Sequence, residues 1–197
     1  EYGVEPTYAV QAGEKETDFR SYLMKAKATN PDVIVLSGLV DETVRMLVQS
    51  YEVGIPKSVH RVANSVASKV EVPTNAGKAA VGVVYSAAFA ASDTRPIAKE
   101  FVKKIKKNYG VVPGHDFSQM QDLLDMLKPA LTKASAKFTG DLAADRNAVR
   151  DAIAGITNFT GLASGPISFC ANGSPECRDG NKTPVMIKYS KGGKNWK

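Results

Sequence analysis

From residue 33 the chain reads Val-Ile-Val-Leu, turns on small residues, then places Val44, Leu47, Val48 and Tyr51 at i, i+3, i+4 and i+7. That spacing is one face of a helix. The β-branched run between Pro31 and Ser37 predicts a strand buried on both faces of a parallel sheet. Asp41 is the expected N-cap of the helix and Gly54 its stop. Upstream, TYAVQA at 7–12 predicts a strand. Thr17 then caps a helix carrying Phe19, Leu23 and Ala26. Residues 58–65 and 79–89 read as further extended segments. This alternation predicts an α/β fold with a parallel sheet.

After residue 93 the pattern changes. Three amphipathic helices are predicted at 96–109, 116–134 and 145–155, with no strand between them. A kink is expected at Pro129. Two short extended runs follow, 159–169 and 183–190. The helices have apolar faces but no sheet of their own. Another polypeptide, or a second copy, is therefore expected against Leu123, Leu124 and Leu127.

Charge changes this picture little. The net charge of +6 sits largely in the helix 96–109 and the C-terminal tail. Lys99, Lys103, Lys106 and Lys107 fall mostly away from the apolar stripe of Ile97, Phe101 and Ile105. They read as a solvated helix face, with no interleaved aromatic residues to stack bases, so no nucleic acid is expected. No apolar run is long enough to span a membrane as a helix. No GxSxG, P-loop or GxGxxG occurs, and no nucleophile–base pairing stands out. Neither enzyme activity nor a cofactor is expected. Cys170 and Cys177 are the only cysteines, six residues apart in a Gly- and Pro-containing loop. An intrachain disulfide is the favoured reading, and two reduced thiols are the alternative. Zinc would need more ligands, and His60 and His115 lie far away in sequence. The chain enters a strand-like run without an initiator Met, so a fragment of a longer protein is expected.

The ordered segments TDFRSYLMKAKATNPDVIVLSG, YEVGI and PIAKEFVKKIKKNYGVVP are followed by the pattern Phe159-x-Gly161, Gly165-x-Ile167-x-Phe169, Val185-x-Ile187 and Gly193-x-x-Trp196. Together they resemble the type I periplasmic solute-binding proteins of branched-chain-amino-acid-type ABC transporters. The resemblance covers nearly the whole chain and rests on order and spacing rather than on one motif. It implies two α/β lobes joined by three crossing strands, with ligand held in the cleft between lobes that closes by hinge motion. On that pattern, 1–85 and 170–197 are the second lobe. Residues 93–158 are helices of a first lobe that is incomplete here, and 86–92 and 159–169 are hinge crossings.

The resemblance also implies a site. Ser37, Gly38 and Leu39 follow the first strand, and Ala63 and Asn64 follow the next. Phe117 and Gln121 start a helix of the other lobe. Amino-acid binders of the family carry an acidic residue near Ala63 or Asn64 and an aromatic residue near Leu39. This chain has neither. Arg61 is the nearby charge and suits a carboxylate. A small organic acid, aromatic acids included, is thus expected in preference to an amino acid, with Asp41 as the alternative that would pair an ammonium group. The implied partners are that ligand, a membrane permease, and a complementary N-terminal fragment or second copy. The implied location is periplasmic. A ligand-sensing domain of the same fold is the alternative function.

Overall fold

The structure, a computed structural model, describes residues 3–13, 15–163, 166–169 and 184–190. Cys170 and Cys177 lie outside the described residues. The chain divides into two compact units, residues 1–87 with 186–197, and residues 88–185.

Unit 1 alternates helix and strand. Helix α1 (Arg20–Ala28) leads to β1 (Val33–Leu36), α2 (Val40–Glu52), β2 (His60–Ala63), α3 (Glu71–Ala76) and β3 (Val84–Ala87). The sheet is completed by β4 (Val185–Lys188), in the order β1-β2-β3-β4. β1, β2 and β3 are parallel, with Val33 opposite His60, Leu36 opposite Ala63, and Ala63 opposite Tyr85. The core takes Leu36, Thr43, Leu47, Val72, Val83 and Tyr85. The Tyr85 ring packs against Tyr189 at 5.1 Å between centroids, tilted by 43°. The Tyr189 hydroxyl donates to the Ala67 carbonyl. Burial pushes both phenols above their ordinary pKa.

Three expectations are corrected here. No strand forms at 7–12. β1 is buried on one face only: Ile34 and Leu36 are buried, whereas Val33 and Val35 are 48% and 69% exposed. The N-caps also move. α1 starts after Phe19 rather than Thr17, because the Phe19 N–H donates to buried Gln49 Oε1 at 2.6 Å. α2 starts after Leu39, and Asp41 is its second residue. The Leu39 N–H donates instead to Glu42 Oε2 at 2.8 Å.

Unit 2 holds α4 (Pro96–Tyr109), α5 (His115–Ser135) and α6 (Leu142–Ala154). All three were legible from periodicity. α5 runs on through Pro129, and α5 packs on α6. The face of α4 is buried within its own unit: Ala98, Phe101 and Ile105 cluster with Phe89 and Leu162. The α5 leucines behave otherwise. Its buried residues are Ser118, Asp122, Met126, Ala130 and Ala134, while Leu123 and Leu124 are exposed and Leu127 is half-buried.

Gly161–Ala163 is gripped from both sides of its backbone. Asp122, 2% exposed, accepts the N–H groups of Leu162 and Ala163 at 2.7 and 2.8 Å. Arg95 donates to the carbonyls of Gly161 and Leu162 at 3.2 and 2.6 Å, and pairs with Asp93 at 2.7 Å. Burial raises the Asp93 pKa, but hydrogen bonds from Arg95 outweigh it and the net shift is downward. A carboxylate depressed in the folded state stabilises above its unfolded pKa and loses that contribution as pH falls through the folded value. Asp93→Asn is therefore expected to cost roughly 1 kcal/mol at neutral pH. The gap from the parent protein should close as pH falls below 3.8. Denaturant midpoints across that range check it, and a gap independent of pH would refute it.

Candidate ligand-binding site

In parallel α/β sheets the loops at the carboxyl ends of strands are the sites open to ligands. In unit 1 those are the loop after β1 and the residue after β2. The register that sets Leu36 beside Ala63 also sets Ser37 and Gly38 beside Asn64. Asn64 Nδ2 donates to the Gly38 carbonyl at 3.1 Å and reaches Ser37 Oγ at 3.4 Å. Its Oδ1 is buried and accepts no hydrogen bond among the described residues. Ser37 is exposed and Leu39 is 71% exposed. The loop thus presents a hydroxyl, an apolar side chain and an amide oxygen in need of a donor.

Gly38 has a reason of its own. A Cβ there would lie 2.9 Å from Glu42 Cβ and 3.0 Å from Met46 Cε. The first turn of α2 packs directly on it, so glycine is required by the helix whatever else approaches. Ala63 is buried at the end of β2.

Arg61 does not join this group. Its guanidinium turns back toward the start of β2, donating to Ser50 Oγ at 3.0 Å, the Ile55 carbonyl at 3.0 Å and the Val59 carbonyl at 3.1 Å. Burial lowers its pKa from the ordinary value. The side chain holds the 55–59 loop, and the cation expected at the carboxyl end of the sheet is not supplied by it. The acid at the loop is Glu42, where the sequence pattern points to Asp41. Its signal was the spacing of three from Leu39, that of a capping-box acid. In unit 2, Phe117 is 47% exposed in the first turn of α5, and Gln121 donates to Asp125 at 3.0 Å. Among the described residues no cluster of three His, Cys, Asp or Glu side chains could hold a metal ion.

An alternating parallel sheet with a polar loop cluster at its carboxyl ends is an architecture that ligand-binding lobes share with other α/β folds. The family model for periplasmic binding proteins matches residues 1–178. The chain belongs to the periplasmic binding protein family and has its type I fold. A leucine-binding protein LivK from Thermotoga maritima is 25% identical with a TM-score of 0.76, over 93% of this chain and 48% of its own. LivJ from Streptococcus pneumoniae, in complex with isoleucine, is 21% identical with a TM-score of 0.70, over 90% of this chain and 47% of its own. A solute-binding protein from R. palustris, in complex with benzoate, is 16% identical with a TM-score of 0.73, over 92% of this chain and 46% of its own. The chain spans about half the length of these solved relatives. No curated protein matches it.

Proposed function

We propose that the chain is part of the extracytoplasmic solute-binding component of an ABC uptake transporter, delivering a small carboxylic acid or amino acid to a membrane permease. Binding, not catalysis, is its role, with 86–92 and 159–169 as hinge segments. The reading rests on one observation: Asn64 bridges the ends of β1 and β2 and keeps its buried Oδ1 unpaired beside exposed Ser37 and Leu39. A buried acceptor without a partner is costly, and a ligand N–H or O–H there would satisfy it. Leu39 supplies apolar contact, Ser37 a hydroxyl, and Gly38 keeps the loop close to α2. The preference for an acid over an amino acid loses its cation, since Arg61 is engaged elsewhere. Glu42 stands near the loop as a partner for an ammonium group. Phe117 and Gln121 enter this reading from the family resemblance alone.

The test is a thermal-shift and calorimetric comparison on the full-length protein of leucine, isoleucine, 4-methylpentanoate and benzoate. A cognate ligand at a hundred times its dissociation constant stabilises by about 2.7 kcal/mol. Asn64→Ala is expected to weaken that ligand about tenfold, the loss of one hydrogen bond in a buried site. No shift with any of the four acids, or unchanged affinity in Asn64→Ala, would sink the reading.

A further inference from the structure

Unit 1 also opens at the other end of its sheet. A cleft of about 570 Å³ lies between the last turns of α1 and the loop that joins α2 to β2. That volume is in the range of small-molecule sites, about 300–1,000 Å³. Met24, Ile55, Pro56 and Val59 give it apolar walls. Ile55 and Val59 are buried, whereas Met24 is 54% exposed. Val59 immediately precedes β2, so the cleft is at the amino ends of the strands. Along β2, Asn64 is five residues further on, about 16 Å of extended chain. The cleft is therefore separate from the loop cluster of Ser37 and Asn64.

The charge of the cleft is one-sided. Among the described residues that line it, only Lys27 and Asn30 carry polar side chains, and none is acidic. Lys27 Nζ donates to the Val53 carbonyl at 2.8 Å and forms no ion pair among the described residues. An ammonium group has three donors, so two remain for other acceptors. The acids of the flanking segments do not neutralise it. Glu52 is held by Arg20 at 2.7 Å, and Asp32 does not line the cleft.

A second cation stands behind the same loop. The half-buried Arg61 guanidinium donates to the carbonyls of Ile55 and Val59 and to Ser50 Oγ, all of them neutral acceptors. No carboxylate pairs with it among the described residues. Its hydrogen bonds fix the loop that forms one wall. A cation partly withdrawn from water and left without a counter-ion extends its field further than a solvated one. Lys27 and Arg61 together put an uncompensated positive potential beside an apolar surface.

This combination selects among ligand classes. A cation is repelled. A sugar or a polyanion would lose water to the apolar walls without enough polar partners. A neutral apolar molecule gains the walls but makes no use of Lys27. We propose that the cleft is a second binding site, for a small monocarboxylate with an apolar body. The carboxylate is held by Lys27, with the Asn30 amide as a further donor, and the apolar body lies on Met24, Ile55 and Val59. One free ammonium group in the wall matches one negative charge on the ligand. Arg61 supports the wall from behind.

The experiment uses octanoate as the probe and the full-length protein, with 13C-labelled Met, Ile and Leu methyl groups followed by NMR. The Met24 and Ile55 methyl resonances should shift together and saturate with one dissociation constant. 1-Octanol, the same chain without the charge, should bind about tenfold weaker or worse, the loss of one charge-assisted hydrogen bond. Octanoate should weaken to the same degree in Lys27→Met and recover in Lys27→Arg, which restores the cation. Equal affinity for octanoate and octanol overturns the proposal, because the cleft would then be an apolar groove without charge recognition. Unchanged octanoate affinity in Lys27→Met overturns it too, as does the absence of a saturable shift at millimolar octanoate. Shifts confined to the Leu39 methyls would place octanoate at the carboxyl-end loop, overturning this second site while leaving the function proposed above intact.

Discussion

Asp122→Ala is expected to destabilise unit 2 by about 2–5 kcal/mol, the cost of leaving two buried backbone amides without their acceptor. The carboxylate is 2% exposed and receives two backbone N–H groups at 2.7 and 2.8 Å. Truncation leaves both amides buried without an acceptor, and each costs about 1–3 kcal/mol. It also releases Leu162 from the cluster with Phe89, Ala98, Phe101 and Ile105. Asp122→Asn should cost less, because one carbonyl acceptor is kept while an NH2 faces the other amide. Thermal or denaturant unfolding followed by hydrogen exchange at Leu162 and Ala163 reads the effect. Loss of less than about 1 kcal/mol would show that water replaces the carboxylate.

Gly161→Ala is expected to be nearly as costly, by about 2–3 kcal/mol. The backbone there is not in a left-handed conformation, so the reason is space. An added Cβ would lie 2.2 Å from Asp122 Oδ1 and 2.6 Å from Phe159 Cε1. Asp122 cannot swing aside without dropping the two N–H groups that it holds. The two substitutions should therefore be strongly non-additive. In an Asp122→Ala background the methyl group enters space already cleared, and Gly161→Ala should then cost under about 1 kcal/mol. Coupling energies of 0.5–3 kcal/mol are normal for residues in direct contact. Additive losses would mean that Phe159, not the carboxylate, sets the limit at Gly161.

What the sequence determined alone were the elements held by local periodicity. α2 and the three helices of unit 2 lie close to where the hydrophobic pattern put them, because a helix carries its hydrogen bonds within itself. The family resemblance was likewise carried by the order and spacing of segments, which a linear reading retains. A strand is different, since it exists only by pairing. TYAVQA has the composition of one, but no strand pairs with it among the described residues, and it stays irregular. The face that a helix buries is also a property of its neighbours. On α5 the small residues Ser118, Ala130 and Ala134 turn inward with Asp122, while Leu123 and Leu124 stay exposed. No periodicity distinguishes these two stripes, because both repeat at helical spacing. Long polar side chains were the least legible. Arg61 reads equally well pointing to either end of β2, and only the carbonyls of Ile55 and Val59, folded back by the end of α2, decided its direction. Glu42 rather than Asp41 reached the loop because the helix began one residue after Leu39, a boundary set by packing against Gly38.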